Sequence, residues 1–153
     1  MSKDSLGRIP LHMACSPYLN VAEDAFEILL EAGSDPDSKD INGETPLHMV
    51  ARAGFFWGVR ILVAGGLADF MAKNNDGNTA LHLAVRSERG EIGDETITEL
   101  RNAGVDSSLV NSDGQSAMDL AWDLGEEETM TVLSCELSAE SDEAESSRDS
   151  VQS

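Results

Sequence analysis

Apolar residues in this chain come in short bursts at helical rather than strand spacing, each opened by a polar turn and closed by a glycine. The clearest opening is Gly43-Glu-Thr-Pro-Leu-His-Met-Val-Ala51. Thr45 stands where an N-cap hydroxyl takes one of the backbone N–H groups that the first turn leaves orphaned. Pro46 follows at the first helical position, where a missing N–H costs nothing and a fixed φ suits the helix. Leu47 points inward, and His48 is close enough to bond back toward the cap, as the acid of a capping box does. Gly43 lets the preceding turn reach positive φ.

The same device returns along the chain. Gly7-Arg-Ile-Pro-Leu-His-Met-Ala14, Gly43-Glu-Thr-Pro-Leu-His-Met-Val50, Gly77-Asn-Thr-Ala-Leu-His-Leu-Ala84 and Gly114-Gln-Ser-Ala-Met-Asp-Leu-Ala121 align, with leading glycines 36, 34 and 37 positions apart (43−7, 77−43, 114−77). A second landmark recurs out of phase with the first: Leu29-Leu-Glu-Ala-Gly33, Leu62-Val-Ala-Gly-Gly66 and Leu100-Arg-Asn-Ala-Gly104, each an apolar run ended by a helix-stopping glycine.

Over residues 3–134 this pattern resembles the ankyrin repeat, with its period of about 33 and its Thr-Pro-Leu-His-x-Ala core. The resemblance implies an all-α solenoid of about four repeats, each a turn, an inner helix, an outer helix and a short β-hairpin-like finger. It also implies a function in binding other proteins. The repeats fall near 3–38, 39–72, 73–108 and 109–135, followed by an acidic, Ser-rich segment at 136–153 whose composition predicts disorder. The fingers fall near 34–42, 67–76 and 105–113.

Each repeat departs from the pattern in its own way. Ile9 replaces the capping Thr, so the first cap lacks a hydroxyl. Pro17 ends the first inner helix in an enlarged loop, and an outer helix is expected over 21–32 with Val21, Ala25, Ile28, Leu29 and Ala32 on its apolar face. No polar capping segment precedes the first repeat, which suggests a frayed end, a missing upstream part, or self-association through an exposed end. Gly58 inside the second outer helix costs about 1 kcal/mol against Ala unless something packs closely there. Polar residues 87–94 predict a longer loop in the third repeat, then a helix over 94–103 with Asp94 as its cap. In the fourth, Ser116 and Asp119 keep the capping box without a His, and Trp122 takes the position of Cys15, Ala51 and Val85. A Trp fits there only where no further repeat presses in. Glu126, Glu127 and Glu128 then open the last helix, as the macrodipole favours.

Charge narrows the partners. Ten Lys and Arg against 29 Asp and Glu leave a net charge of −19, which disfavours nucleic acid and anionic membranes and favours a protein with a basic surface. No window of 18 uninterrupted apolar residues suggests a membrane span, and the N-terminus has no signal-peptide pattern. Two isolated thiols, Cys15 and Cys135, suit a cytoplasmic or nuclear chain, Cys15 as a buried core thiol and Cys135 as an exposed one.

No motif requires a cofactor or metal. His12, His48 and His82 share one repeat position, so they lie about 10 Å apart and cannot share an ion. There is no phosphate loop and no nucleophile–base arrangement that the repeat does not already explain. The departures that invite a partner are Phe55, Phe56 and Trp57, which either fill space beside the enlarged loops or form a docking patch. Arg52 and Arg86 share one position on the groove side and either clamp a carboxylate or phosphate or pair with nearby acids. Finger residues Lys39, Ile41, Asn74 and Asn75 vary between copies, as specificity elements would. A non-catalytic interaction module is the leading reading. A ligand-binding or catalytic protein built on repeats two and three, for which a closed pocket lined by Phe55, Phe56, Trp57 and the inserted loops is the mark, and a regulatory part of a larger assembly are the alternatives.

Overall fold

A computed structural model describes residues 2–15, 23–87 and 91–134, with the side chains of 64 and 91–93 left aside. The expectations for the loop at 16–20, for Val21, for Cys135 and for the tail at 136–153 lie outside the described residues. Eight helices follow in order: α1 (Pro10–Ala14), α2 (Glu23–Glu31), α3 (Pro46–Ala53), α4 (Phe56–Ala64), α5 (Ala80–Val85), α6 (Glu91–Asn102), α7 (Ala117–Leu124) and α8 (Glu127–Ser134). The odd-numbered helices pack in one row, α1 on α3, α3 on α5, α5 on α7. The even-numbered helices pack in a second row, α2 on α4, α4 on α6, α6 on α8. The expected all-α repeat solenoid is therefore present, with an inner and an outer layer.

The capping device works as the sequence implies. Thr45 has extended backbone angles and its hydroxyl accepts from the N–H of His48. The Thr45 N–H donates to His48 Nδ1 at 3.1 Å, and the Thr79 N–H to His82 Nδ1 at 3.2 Å. Ile9 provides no hydroxyl, yet its own N–H still reaches His12 Nδ1 at 3.2 Å. Repeat four makes the same box with a carboxylate: the Ser116 N–H donates to Asp119 Oδ2 at 2.9 Å. The four leading glycines, Gly7, Gly43, Gly77 and Gly114, all have φ between +73° and +77°, a region that L side chains rarely enter.

The core lies between the two rows. Leu11, Leu47 and Leu81 from the inner helices meet Phe26, Val59, Leu62, Ile97, Leu100 and Leu133 from the outer ones, all essentially inaccessible to solvent. The apolar face of α2 differs from expectation: Phe26 is its buried residue, Leu29 and Leu30 are half-buried, and Ile28 points outward. Phe26 is what the second repeat's aromatic residues select, because its ring meets Trp57 edge-on at 5.5 Å. The helix α6 begins at Glu91, earlier than expected, so Asp94 lies within its first turn instead of capping it. The acids at 91, 94 and 95 favour extending the helix toward its N-terminus. Asp94 Oδ1 there accepts from the Thr129 hydroxyl of α8 at 2.9 Å.

Gly58 has a close neighbour. A methyl group added there would sit 2.7 Å from Val50 Cγ1 and 3.1 Å from Val50 Cβ. The glycine lets α4 lie down on α3.

Candidate functional site

The surface where the inner helices meet the fingers is built from a few positions counted from each leading glycine. Three residues before it stands an Asp or Asn whose side-chain oxygen accepts two backbone N–H groups across the turn, as in an Asx turn. Asp40 accepts from Asn42 and Glu44, both at 2.9 Å. Asn74 accepts from Asp76 and Asn78, and Asn111 from Asp113 and Gln115. Asp4 does the same with Leu6 and Arg8, which draws its carboxyl below the usual carboxylate range. Each finger is a hydrogen-bonded turn, closed in repeat two by Asp40 N–H to Glu44 O at 3.0 Å. Among the described residues no finger forms a strand ladder, because this closure is too short to propagate one.

Neighbouring repeats are joined through main-chain oxygens. His12, His48 and His82 each donate from Nε2 to a carbonyl of the next repeat, Glu44 O at 3.0 Å, Asn78 O at 3.0 Å and Gln115 O at 2.9 Å. With Nδ1 accepting from the cap N–H, the geometry fixes the neutral imidazole protonated on Nε2. Burial holds the imidazoles of His48 and His82 below the ordinary histidine value. A second ladder runs through the lysines. Lys3 Nζ donates to Lys39 O at 3.2 Å, Lys39 Nζ to Lys73 O at 3.2 Å, and Lys73 Nζ to Val110 O at 2.9 Å. A third joins finger tips: Ile41 N–H to Leu6 O, Asn75 N–H to Asn42 O and Ser112 N–H to Asp76 O, all near 3.0 Å.

These ladders sort the finger candidates. Ile41 is exposed at a tip. Lys39 and Asn75 are exposed but spend their polar ends on neighbours, Asn75 Nδ2 donating to Ile41 O at 3.0 Å. Asn74 is buried and structural.

In repeats two and four the residue nine positions after the leading glycine reaches back to the residue that follows that glycine. Arg52 pairs with the buried carboxylate of Glu44, and Asp123 accepts from Gln115 Nε2 at 2.6 Å. In repeat three the partner position is Asn78, a neutral amide that offers no charge to pair; its Oδ1 accepts from Asn111 Nδ2 at 3.1 Å, as Glu44 Oε1 does from Asn74 Nδ2 at 3.4 Å. Arg86 is thus exposed on the same face as Arg52 without the same contact. Lys3, Lys39 and Lys73 are spent on the ladder, Arg8 on Asp4, Arg60 on Glu99 and Arg101 on Val132 O. Among the described residues Arg86 is the one Lys or Arg whose side chain makes no ion pair or hydrogen bond.

The aromatic trio does not act as one patch. Phe55 and Trp57 stack at 5.4 Å and lie against repeat one through Phe26. Phe56 turns the other way, under the Arg60 guanidinium at 5.5 Å. It lines an open-sided cleft of about 430 Å³ with Arg60, Asp94, Glu95, Thr98 and Glu99 on the outer helices. Phe55 and Trp57 are not among its lining residues. Burial pushes the Cys15 thiol well above its ordinary value, so it stays protonated. No group of three His, Cys, Asp or Glu suited to a metal occurs among the described residues, and no helix among them is long and apolar enough to cross a membrane.

Sequence reasoning missed the Asx position and the lysine ladder. Both were signalled by recurrence: Asp4, Asp40, Asn74 and Asn111, and Lys3, Lys39 and Lys73, each at a constant offset from the leading glycine.

Comparison with known proteins agrees with this geometry. A family model for ankyrin repeats in three copies matches residues 11–100. The human neurogenic locus notch homolog protein 2 is 32% identical over 130 residues, covering 85% of this chain and 5% of that protein. The pig NF-kappa-B inhibitor alpha is 34% identical over 96 residues, covering 60% of this chain and 29% of that protein. The chain thus spans only a small part of the length of the curated relatives it matches. A matched model over more than half the chain, two stacked rows of helices and a repeated Thr-His cap lead to one conclusion: the chain belongs to the ankyrin-repeat family.

Proposed function

We propose that this chain is a non-catalytic protein-interaction module that engages its partner through the inner helices and fingers, with Arg86 as the anchoring side chain. The observation that carries the reading is that, among the described lysines and arginines, Arg86 alone has a side chain not held by an ion pair or hydrogen bond. A guanidinium with five donors on an exposed face suits a carboxylate or backbone carbonyls of a partner. With a net charge of −19, the rest of that partner's surface is basic. Ile41, at a finger tip, adds an apolar contact. The scaffold is ordered by its own ladders, so binding immobilises little of this chain. Similarity to a protein named as an inhibitor of NF-kappa-B supports a role exerted on another protein. The module acts in the cytoplasm or nucleus, in keeping with a buried unpaired thiol.

The test is capture of the partner from the native source, followed by calorimetry with purified components. Arg86→Ala is expected to weaken binding about tenfold or more without changing the unfolding midpoint. Undiminished affinity in that variant would remove Arg86 from the interface. The rival, a small-molecule site in repeats two and three, gains little from the cleft beside Phe56 among the described residues, which is open-sided and is lined by neither Phe55 nor Trp57.

A further inference from the structure

Repeat four cannot pass on the contacts that join the repeats before it. Where Lys3, Lys39 and Lys73 donate forward, it has Val110. Where three histidines donate forward, it has Asp119, which folds back onto Ser116. At the position of Cys15, Ala51 and Val85, all buried, it has Trp122. That position faces the following repeat, since the Cys15 thiol lies 3.6 Å from Pro46 O. The indole of Trp122 is 74% exposed, with Leu124 53% and Val110 45% exposed on the same repeat. Met118, which takes the position of the fully buried Leu11, Leu47 and Leu81, is only half-buried. Asp119, Asp123, Glu126, Glu127 and Glu128 are all exposed around this apolar end.

We propose that this end of the solenoid is a second docking surface, one that takes a basic amphipathic helix of a partner protein, its aliphatic side chains on Trp122 and on Met118 one turn before it, and a Lys or Arg over the indole face. Cation–π contact, apolar burial and the acidic rim then act on one ligand. The alternatives fail on charge or hydrogen bonding. A fifth repeat would meet no lysine and no histidine donor, and an indole where a small side chain is required. A second copy related by a two-fold axis would set acidic rim against acidic rim. The segment 136–153 carries six acids against Arg148 alone, so the same rim repels it. This surface does not use Arg86, and either reading stands or falls without the other.

The experiment uses the full chain with 5-fluorotryptophan at Trp57 and Trp122, the two resonances being assigned through Trp122→Phe. The probe is a Leu/Lys amphipathic helical peptide, with its Leu/Glu counterpart and oligolysine of equal charge as controls. The Trp122 resonance is expected to shift saturably with Leu/Lys alone while that of Trp57 stays in place. Affinity should fall about tenfold or more in Trp122→Ser, which leaves net charge unchanged, and should be untouched in Arg86→Ala. Circular dichroism checks that Trp122→Ser folds. Equal binding of oligolysine, or undiminished affinity in Trp122→Ser, would reduce the effect to bulk charge and overturn the proposal. So would a shift of Trp122 with protein concentration, which reveals a second copy, or on deletion of 136–153, which reveals the tail.

Discussion

Replacing Gly58 by alanine sets two effects of known sign against each other. In an ordinary helix the change stabilises by up to about 1 kcal/mol, because glycine loses more backbone freedom on folding. Here the new methyl would lie 2.7 Å from Val50 Cγ1 and 3.1 Å from Val50 Cβ. Carbon atoms rest about 3.5–4.0 Å apart at their optimum, so the overlap approaches 1 Å. Rotating Val50 relieves little: its Cβ stays put, and a helical valine holds one rotamer about nine times in ten. The helices α3 and α4 must therefore separate. Overpacking of this kind costs about 1–3 kcal/mol, and moving α4 also disturbs the edge contact of Trp57 with Phe26 on α2. We expect Gly58→Ala to destabilise by about 1 kcal/mol net, a fall of about 2–4 °C in Tm at this chain length. The decisive measurement is urea unfolding of the full cycle with Val50→Ala. Once the valine methyls are gone, Gly58→Ala should reverse sign and stabilise, giving a coupling of about 1–3 kcal/mol. A Gly58→Ala variant that is stabilising in both backgrounds would refute the close approach.

The other predictions concern the ladders and the groove. His48→Ala removes the acceptor of the buried Thr45 N–H and leaves a cavity, while Asn78 O keeps its bond from Asn74 N–H at 3.0 Å. The expected cost in urea unfolding is about 3 kcal/mol, against about 1 kcal/mol for Asp119→Ala, which loses only an exposed cap. Protonating His48 or His82 destroys the Nδ1 acceptor, and burial sets both folded values below the unfolded one of about 6.5. The folded state then binds fewer protons, so this contribution is complete above about pH 7 and is lost as pH falls through 6.5 toward the folded values. The stability difference between the native chain and a His48→Gln/His82→Gln variant should shrink over that window in a pH series of urea midpoints. Arg52→Ala strands the buried Glu44 carboxylate and should cost about 1–3 kcal/mol, whereas Arg86→Ala should fall within about 0.5 kcal/mol of the native chain by the same measurement. Equal costs would show that the two arginines are equivalent.

Much of the fold was legible because it is local and repeated. Thr45, Pro46 and His48 specify a helix start within four residues, and four copies in register specify the stack. The early start of α6 escaped because acids suit both a loop and a first turn. Residues 55–57 were legible as an anomaly but not in their directions. Successive residues on a helix point about 100° apart, so Phe56 and Trp57 face different repeats, and only the placement of Phe26 decides which is served. The difference between Arg52 and Arg86 turns on the residue eight positions earlier, a carboxylate in Glu44 and a neutral amide in Asn78, although each accepts from an Asn of the neighbouring finger.

Every acceptor in the lysine and histidine ladders is a peptide oxygen: Lys39 O, Lys73 O and Val110 O on one, Glu44 O, Asn78 O and Gln115 O on the other. Such an oxygen is present whatever residue carries it. Chemistry at the exposed tips, Ile41 and Asn42 in one finger and Ser112 and Asp113 in another, is thereby uncoupled from the cohesion of the stack. A randomised library at those four codons should yield mostly folded members, and selection on it would rewrite which molecule is recognised while the framework stays the same.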